Sequence, residues 1–120
     1  MREILFRGKT ISGGWVQGLL ANNDDKWYIS NKVGAPFAYE IYPETICQYT
    51  GLTDKNGKKI FEGDIVTVPN DDELYSVVWD EDTAAWSLSA EAVVYNFDNF
   101  WGYELEVVSN VYDNPEWLEA

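Results

Sequence analysis

Short apolar segments with alternating side chains run along this chain, and turn-forming residues separate them about every eight to twelve positions. This spacing is typical of β-strands joined by short loops, and the periodicity of helices is weak. The chain has 120 residues, of which 46% are hydrophobic and 16% are aromatic. That is the length of one domain, with enough apolar surface for a folded core. The pattern therefore predicts a mostly β fold.

Several segments combine β-branched or aromatic residues with this alternation. They are residues 3–7, 15–21, 26–30, 65–68, 75–79, 86–88, 93–95 and 105–112. Gly34 and Pro36 interrupt residues 31–42, so we expect a loop there and then a short strand that ends at Pro43. Residues 113–120 predict a single helical turn, because Pro115 suits its start and Asn114 or Asp113 can cap it.

The loops between candidate strands contain specific turn signals. The polar cluster at residues 22–25 favours a longer hairpin loop over a two-residue loop. Asn56-Gly57 predicts a type I′ turn, in which both central residues have positive φ. Gly63 precedes a β-branched run and indicates a bulge or a sharp bend. Asp54 and Asn56 have the spacing that begins a calcium-binding loop, but the rest of that motif is absent, so a turn is favoured.

Charge is divided unevenly along the chain, whose formal net charge is -13. All eight Lys and Arg residues lie before position 60, together with six acidic residues. From Phe61 onward there are fifteen Asp and Glu residues and no Lys or Arg. Direct nucleic-acid binding by the second half is not expected, because neutralising phosphates requires Lys or Arg. The acidic half indicates plain solubility, a surface for a basic protein, or attraction between unlike halves of two copies.

The sequence contains no recognisable catalytic or cofactor-binding motif. The absence of His removes Ser-His-Asp and Cys-His nucleophiles and the His-based metalloproteases. Cys47 is the single cysteine, and its apolar neighbours predict a buried, unreactive thiol. The glycine motifs that bind nucleotide phosphates are also absent. We therefore predict no enzymatic activity, no catalytic residue, no bound metal and no cofactor.

Two acidic clusters in the second half are possible contact residues for a protein partner. They consist of Asp71, Asp72 and Glu73, and of Asp80, Glu81 and Asp82. Carboxylates from two loops could also bind Mg²⁺ or Ca²⁺, or serve as the carboxylate pair of a glycosidase. Two solvated turns are the favoured interpretation.

The aromatic residues are expected mainly in the core, because a small β domain with few Leu residues needs large rings to fill its interior. Phe97, Phe100 and Trp101 are the exception, since they lie in a loop bounded by Asn and Gly and could form an exposed contact patch. The high aromatic content also predicts a homo-oligomer.

The sequence predicts a soluble protein of the cytoplasm with no membrane partner. No apolar run approaches the roughly 20 residues that span a bilayer. The first residues lack the apolar region and cleavage site of a signal peptide.

Four segments together resemble the YopX family of phage and prophage proteins. They are residues 2–7, 48–66 (QYTGLTDKNGKKIFEGDIV), 77–80 and 105–116. The resemblance covers nearly the whole chain except residues 9–44, and its central block is long and specific. It implies a gene carried by a temperate phage or prophage, a mostly β fold with an SH3-like barrel in the second half, and possible homo-oligomers. It implies no activity, and no catalytic residue can be transferred.

These observations predict a single YopX-like domain with three regions. Residues 1–46 form antiparallel strands, residues 47–112 form the SH3-like barrel region, and residues 113–120 form the helical turn. The favoured function is that of a non-enzymatic phage accessory protein that binds a protein, itself or a basic partner. Two alternatives are an acidic DNA mimic that inhibits a host nucleic-acid-binding protein, and a metal-dependent hydrolase that uses the two acidic clusters.

Overall fold

A computed structural model of the chain describes residues 4–30, 38–90, 93–96 and 104–118. The strands in these ranges form antiparallel sheets, and the helical segments among them are short 3₁₀ turns, so the mostly β prediction is confirmed. The chain divides into two compact units, Met1–Tyr49 and Thr50–Ala120, which we call unit 1 and unit 2. The division lies inside a strand, three residues beyond the boundary expected from the sequence.

Unit 1 is an antiparallel sheet whose hydrogen-bonded order is β4-β3-β2-β1-β5. Its strands are β1 (Phe6–Lys9), β2 (Trp15–Asn23), β3 (Lys26–Ser30), β4 (Tyr39–Ile41) and the first residues of β5 (Cys47–Thr53). The predicted strands at 15–21 and 26–30 are confirmed, and the first predicted strand is shifted toward the C terminus. The short strand expected before Pro43 is β4, while residues 31–37 lie outside the described ranges.

The loop between β2 and β3 is shorter than the sequence suggested. Asn23 pairs with Lys26, so only Asp24 and Asp25 connect the strands. Both aspartates have positive φ, 53° and 65°. Two left-handed residues in succession make a turn whose twist matches the flanking strands, and Asp tolerates this conformation better than most side chains. The prediction of a longer hairpin loop is therefore wrong.

The interior of unit 1 is packed closely around a glycine of β1. A Cβ atom added at Gly8 would lie 2.7 Å from Cδ1 of Ile41 and 3.3 Å from Cδ1 of Ile29, and both isoleucines are buried. A 3₁₀ turn, Pro43–Thr45, leads into β5. Cys47 follows it and is fully buried, with its thiol donating a hydrogen bond to the Thr45 carbonyl, so the predicted buried cysteine is confirmed.

Unit 2 contains the rest of β5 and a five-stranded antiparallel sheet with the order β10-β9-β8-β7-β11. Its further strands are β6 (Lys59–Phe61), β7 (Asp64–Thr67), β8 (Leu74–Asp80), β9 (Ala85–Ala90), β10 (Val93–Asn96) and β11 (Glu106–Asn110). The predicted strands in this region are all found. Within the described residues this sheet does not close into a barrel, so the SH3-like barrel is not confirmed.

The β5–β6 hairpin is present, but its turn differs from the predicted type. Asp54 N donates to the Lys58 carbonyl, and Gly57 N donates to the Asp54 carbonyl, so three residues form the loop. Only Gly57 has positive φ, at 81°, and Asn56 does not. The Asp54 carboxylate accepts the N–H groups of Asn56 and Lys58, which favours a type I turn followed by a left-handed glycine. The type I′ prediction is wrong for this reason.

A cluster of buried hydrophobic residues in unit 2 lies on one face of its sheet, and Ile65 of β7 is fully buried on the opposite face. Val66, Tyr75, Val77 and Leu88 are buried neighbours on β7, β8 and β9. The other buried members of this cluster are Ile60, Val68, Leu105 and Val107. Pro115–Leu118 forms a 3₁₀ turn that packs against β8, which confirms the helical turn expected near the C terminus.

Candidate functional site

The first acidic cluster begins with an aspartate that is held by its neighbours. Asp71 Oδ2 accepts a hydrogen bond of 2.6 Å from the Tyr75 hydroxyl, and its Oδ1 accepts the Glu73 N–H at 2.9 Å. The Tyr75 hydroxyl and the Glu73 N–H together lower the pKa of Asp71 below its ordinary 3.8, and desolvation opposes them. Asp72 and Glu73 are exposed. Two charged carboxylates therefore face solvent at this turn.

The second acidic cluster has a similar construction. Asp80 Oδ1 accepts the Asp82 N–H at 2.9 Å, so the Asp80 side chain stabilises the turn that follows β8. Glu81 and Asp82 are exposed, and Asp80 is half-buried. In both clusters the first aspartate supports the loop, and the next two acids project negative charge into solvent.

The two clusters lie at opposite ends of β8, the seven-residue strand Leu74–Asp80. A strand of this length separates its ends by roughly 20 Å, since each residue advances the chain by about 3.3 Å. Each oxygen ligand lies about 2–3 Å from the cation that it binds. The two catalytic carboxylates of a glycosidase lie within about 10 Å of each other. The two clusters therefore cannot share a metal ion or form a glycosidase pair. No group of three acidic or thiol side chains suited to a metal ion occurs within the described ranges.

The C-terminal end of β8 also carries an exposed aromatic ring that sequence reasoning missed. Trp79 is 45% exposed, although tryptophans were expected mainly in the core. Its ring contacts Trp86 of β9 edge-on, with 5.1 Å between ring centres and an interplanar angle of 74°. Trp86 in turn packs against the core. Val78, Trp79 and the second acidic cluster line a shallow depression of about 440 Å³, which we call the Trp79 depression.

The remaining sequence candidates give no further site among the described residues. Phe97, Phe100 and Trp101 lie outside these residues, so their contact patch stays a prediction. Asp54 is buried, and its carboxylate oxygens accept three backbone N–H groups, from Asn56, Lys58 and Val107. Those contacts occupy the group that resembled the start of a calcium loop. In the described part of the chain, no helix has the length and apolar character needed to cross a membrane.

Comparison with protein families decides the relationship that the sequence segments suggested. The family model described as "YopX protein" matches residues 11–119. The chain belongs to the YopX family. The match includes β2–β11 and both acidic clusters, so it covers parts of both units.

A solved structure supports the fold of this YopX-family chain. It is described as "Crystal structure of protein EF1440 from Enterococcus faecalis", and it aligns with a TM-score of 0.61 over 99% of this chain and 100% of that chain. The two sequences are 21% identical, so the likeness shows the fold alone. A search of curated proteins finds no match.

Proposed function

We propose that this YopX-family chain is a phage or prophage accessory protein that catalyses no reaction and acts by binding a basic protein through unit 2. The observation that carries this proposal is the distribution of charge between the units. Unit 1 contains five basic and five acidic residues, whereas unit 2 contains three basic and sixteen acidic residues. The formal charge of the whole chain is therefore that of unit 2.

The position of the charges within unit 2 supports a binding surface. Its three basic residues, Lys55, Lys58 and Lys59, all belong to the β5–β6 hairpin, and strands β7–β11 contain no Lys or Arg. The exposed acids of the two clusters therefore face solvent without cationic residues on neighbouring strands. A surface of one sign speeds association with a partner of the opposite sign and repels nucleic acid.

A DNA mimic is a narrower form of the same proposal. The two separated acidic clusters on β8, roughly 20 Å apart, could occupy two phosphate-binding positions of a nucleic-acid-binding protein. In that case the partner is a host nuclease, repressor or polymerase subunit, and DNA competes with this protein for it. A salt-sensitive competition that weakens when the acids are neutralised would support mimicry over ordinary protein binding.

The test is affinity purification of the tagged chain from its bacterial host during prophage induction, with mass spectrometry of the bound proteins. A matched variant replaces Asp72, Glu73, Glu81 and Asp82 by their amides, which removes four charges and keeps the hydrogen-bonding aspartates. We expect a basic protein that is captured at low salt by the natural chain and lost at high salt or from the variant. Equal capture by both chains, or recovery of no protein except the chain itself, would contradict the proposal and favour self-assembly or a small ligand.

A further inference from the structure

The residues that line the Trp79 depression include one exposed aromatic residue and three acidic residues. Val78, Trp79 and Asp80 are the last three residues of β8, and Glu81 and Asp82 follow directly in the loop. The depression is open to solvent, so it suits a side chain presented by another protein.

The Trp79 ring is held in place although it is exposed. The edge-on contact with Trp86 supports it from one side, and Trp86 itself is anchored on the core. An aromatic ring that is already ordered loses little conformational entropy when a partner binds. The face of an indole ring is also the best aromatic surface for a cation.

The charge around the ring identifies the kind of group that fits. Glu81 and Asp82 are exposed acids beside Trp79, and the sheet strands β7–β11 provide no Lys or Arg to neutralise them. A cation from outside would gain both the ring face and the carboxylates. A guanidinium group fits better than an ammonium group, because it is planar, stacks on aromatic faces and donates paired hydrogen bonds to carboxylates.

We propose that the Trp79 depression is the subsite in which unit 2 holds an arginine side chain of its basic protein partner, stacked on Trp79 and bound by Glu81 and Asp82. This inference rests on the proposed function and specifies the contact that the partner makes. It assigns a location and a residue type to a surface that would otherwise act only through its overall charge.

The test uses a fluorescently labelled hexa-arginine peptide and measures its binding to the full chain by anisotropy at low ionic strength. We expect Trp79→Ala to weaken binding by about five- to thirtyfold, the range of a partly desolvated cation–π contact. Trp117→Ala is the matched control, because Trp117 of unit 2 is 44% exposed and does not line the depression. It should change the affinity less than about twofold. Hexa-lysine should bind more weakly than hexa-arginine to the natural chain.

A charge-matched pair of variants separates the subsite from the general field of unit 2. Glu81→Gln with Asp82→Asn removes two charges beside Trp79, and Asp72→Asn with Glu73→Gln removes two at the other end of β8. We expect the first pair to weaken hexa-arginine binding at least about fivefold more than the second pair. The four residues replaced carry no side-chain hydrogen bond described above, so both pairs should keep the fold.

Three outcomes would overturn the subsite. They are equal weakening by the two charge pairs, equal effects of Trp79→Ala and Trp117→Ala, and no hexa-arginine binding by the natural chain at low salt. None of them decides the proposed function, which is judged by the proteins captured from cells. If Trp79→Ala does not fold, Trp79→Leu replaces it, because leucine keeps apolar bulk and lacks the ring face. Retention of the natural affinity by a folded Trp79→Leu variant would also overturn the subsite.

Discussion

Asp54 is the residue whose replacement should most clearly test how unit 2 is stabilised. Its side chain is 3% exposed and lies at the start of the β5–β6 turn. Oδ1 accepts the N–H groups of Asn56 and Lys58, each at 2.9 Å, and Oδ2 accepts the Val107 N–H at 2.9 Å. One carboxylate therefore fixes the hairpin turn and joins it to β11, 53 positions away.

The expected loss in the free energy of unfolding follows from these three hydrogen bonds. The Val107 N–H lies in a buried hydrogen bond, and leaving it without an acceptor costs about 1–3 kcal/mol. Asn56 and Lys58 are exposed, so water can replace the carboxylate there at a cost of about 0.5–1.5 kcal/mol each. Asp54→Ala should therefore lower the free energy of unfolding by about 2–6 kcal/mol. Asp54→Asn keeps one oxygen for the turn and should lose only about 1–3 kcal/mol.

Urea unfolding, monitored by circular dichroism, measures the total loss of free energy of unfolding. Hydrogen exchange of the Val107 amide measures the local loss of stability. Asp72→Ala is the control, since this exposed aspartate in the same unit should change stability by less than about 0.5 kcal/mol. The Val107 amide should exchange faster in both Asp54 variants, while the amide of Ile29 in unit 1 should keep its protection.

The pH dependence of the same variants provides an independent check. Burial raises the pKa of Asp54, but the N–H groups of Val107, Lys58 and Asn56 and the Lys58 charge outweigh it and lower the pKa below 3.8. A carboxyl group with a lowered pKa stabilises the fold above its unfolded value, and this stabilisation is lost as the pH falls through the folded value. The stability difference between the natural chain and Asp54→Asn should thus be largest above pH 3.8 and shrink below it. A difference independent of pH, or an Asp54→Ala variant as stable as Asp72→Ala, would refute the reasoning.

Three further predictions concern backbone positions, and urea unfolding measures all of them. Gly8→Ala should lower the free energy of unfolding by about 1–3 kcal/mol, because the added Cβ would crowd Ile41. Gly14→Ala is the control and should not lower it, because a Cβ added there would have no atom within 4 Å. Equal effects of the two substitutions would contradict the packing argument. Gly57→Ala should cost about 1–2 kcal/mol through its positive φ alone, so an unchanged midpoint would show that the turn can relax. Asp25→Gly should raise stability by up to about 1 kcal/mol, and a loss would exclude a two-residue left-handed turn.

The positions of the strands could be predicted from the sequence, because alternation and β-branched residues report directly on a half-buried pleated surface. The candidate strand at 26–30 matches β3, and the strand expected before Pro43 is β4. The turn types were harder to predict, since they also depend on side chains that flank the two central residues. The Asp54 carboxylate accepts two loop N–H groups and changes the turn that Asn56-Gly57 alone would favour.

The candidate site could be predicted only in part. The acidic clusters were visible as residue types, but their separation along β8 required knowing that the residues between them form one continuous strand. Trp79 shares a face with the buried Val77, so alternation predicts burial for both. The exposed ring results from its place at the end of β8, beyond the dense part of the core. The adjacent acids were the signal that could have marked this tryptophan as a surface residue.

The hydrogen bond between Asp54 and Val107 of β11 also affects how the edge of this sheet can pair with other strands. Among the described strands, β11 is the last of its sheet and pairs with β7 alone, so its other side could accept a strand from a foreign chain. On that side the Val107 N–H is bound by Asp54, and the Leu105 carbonyl accepts the Lys55 N–H. The register shift between Val107 and Ser109 interrupts the strand immediately afterwards. The β5–β6 loop thus occupies two backbone groups on the outer side of this edge, which are then not available to pair with a foreign strand.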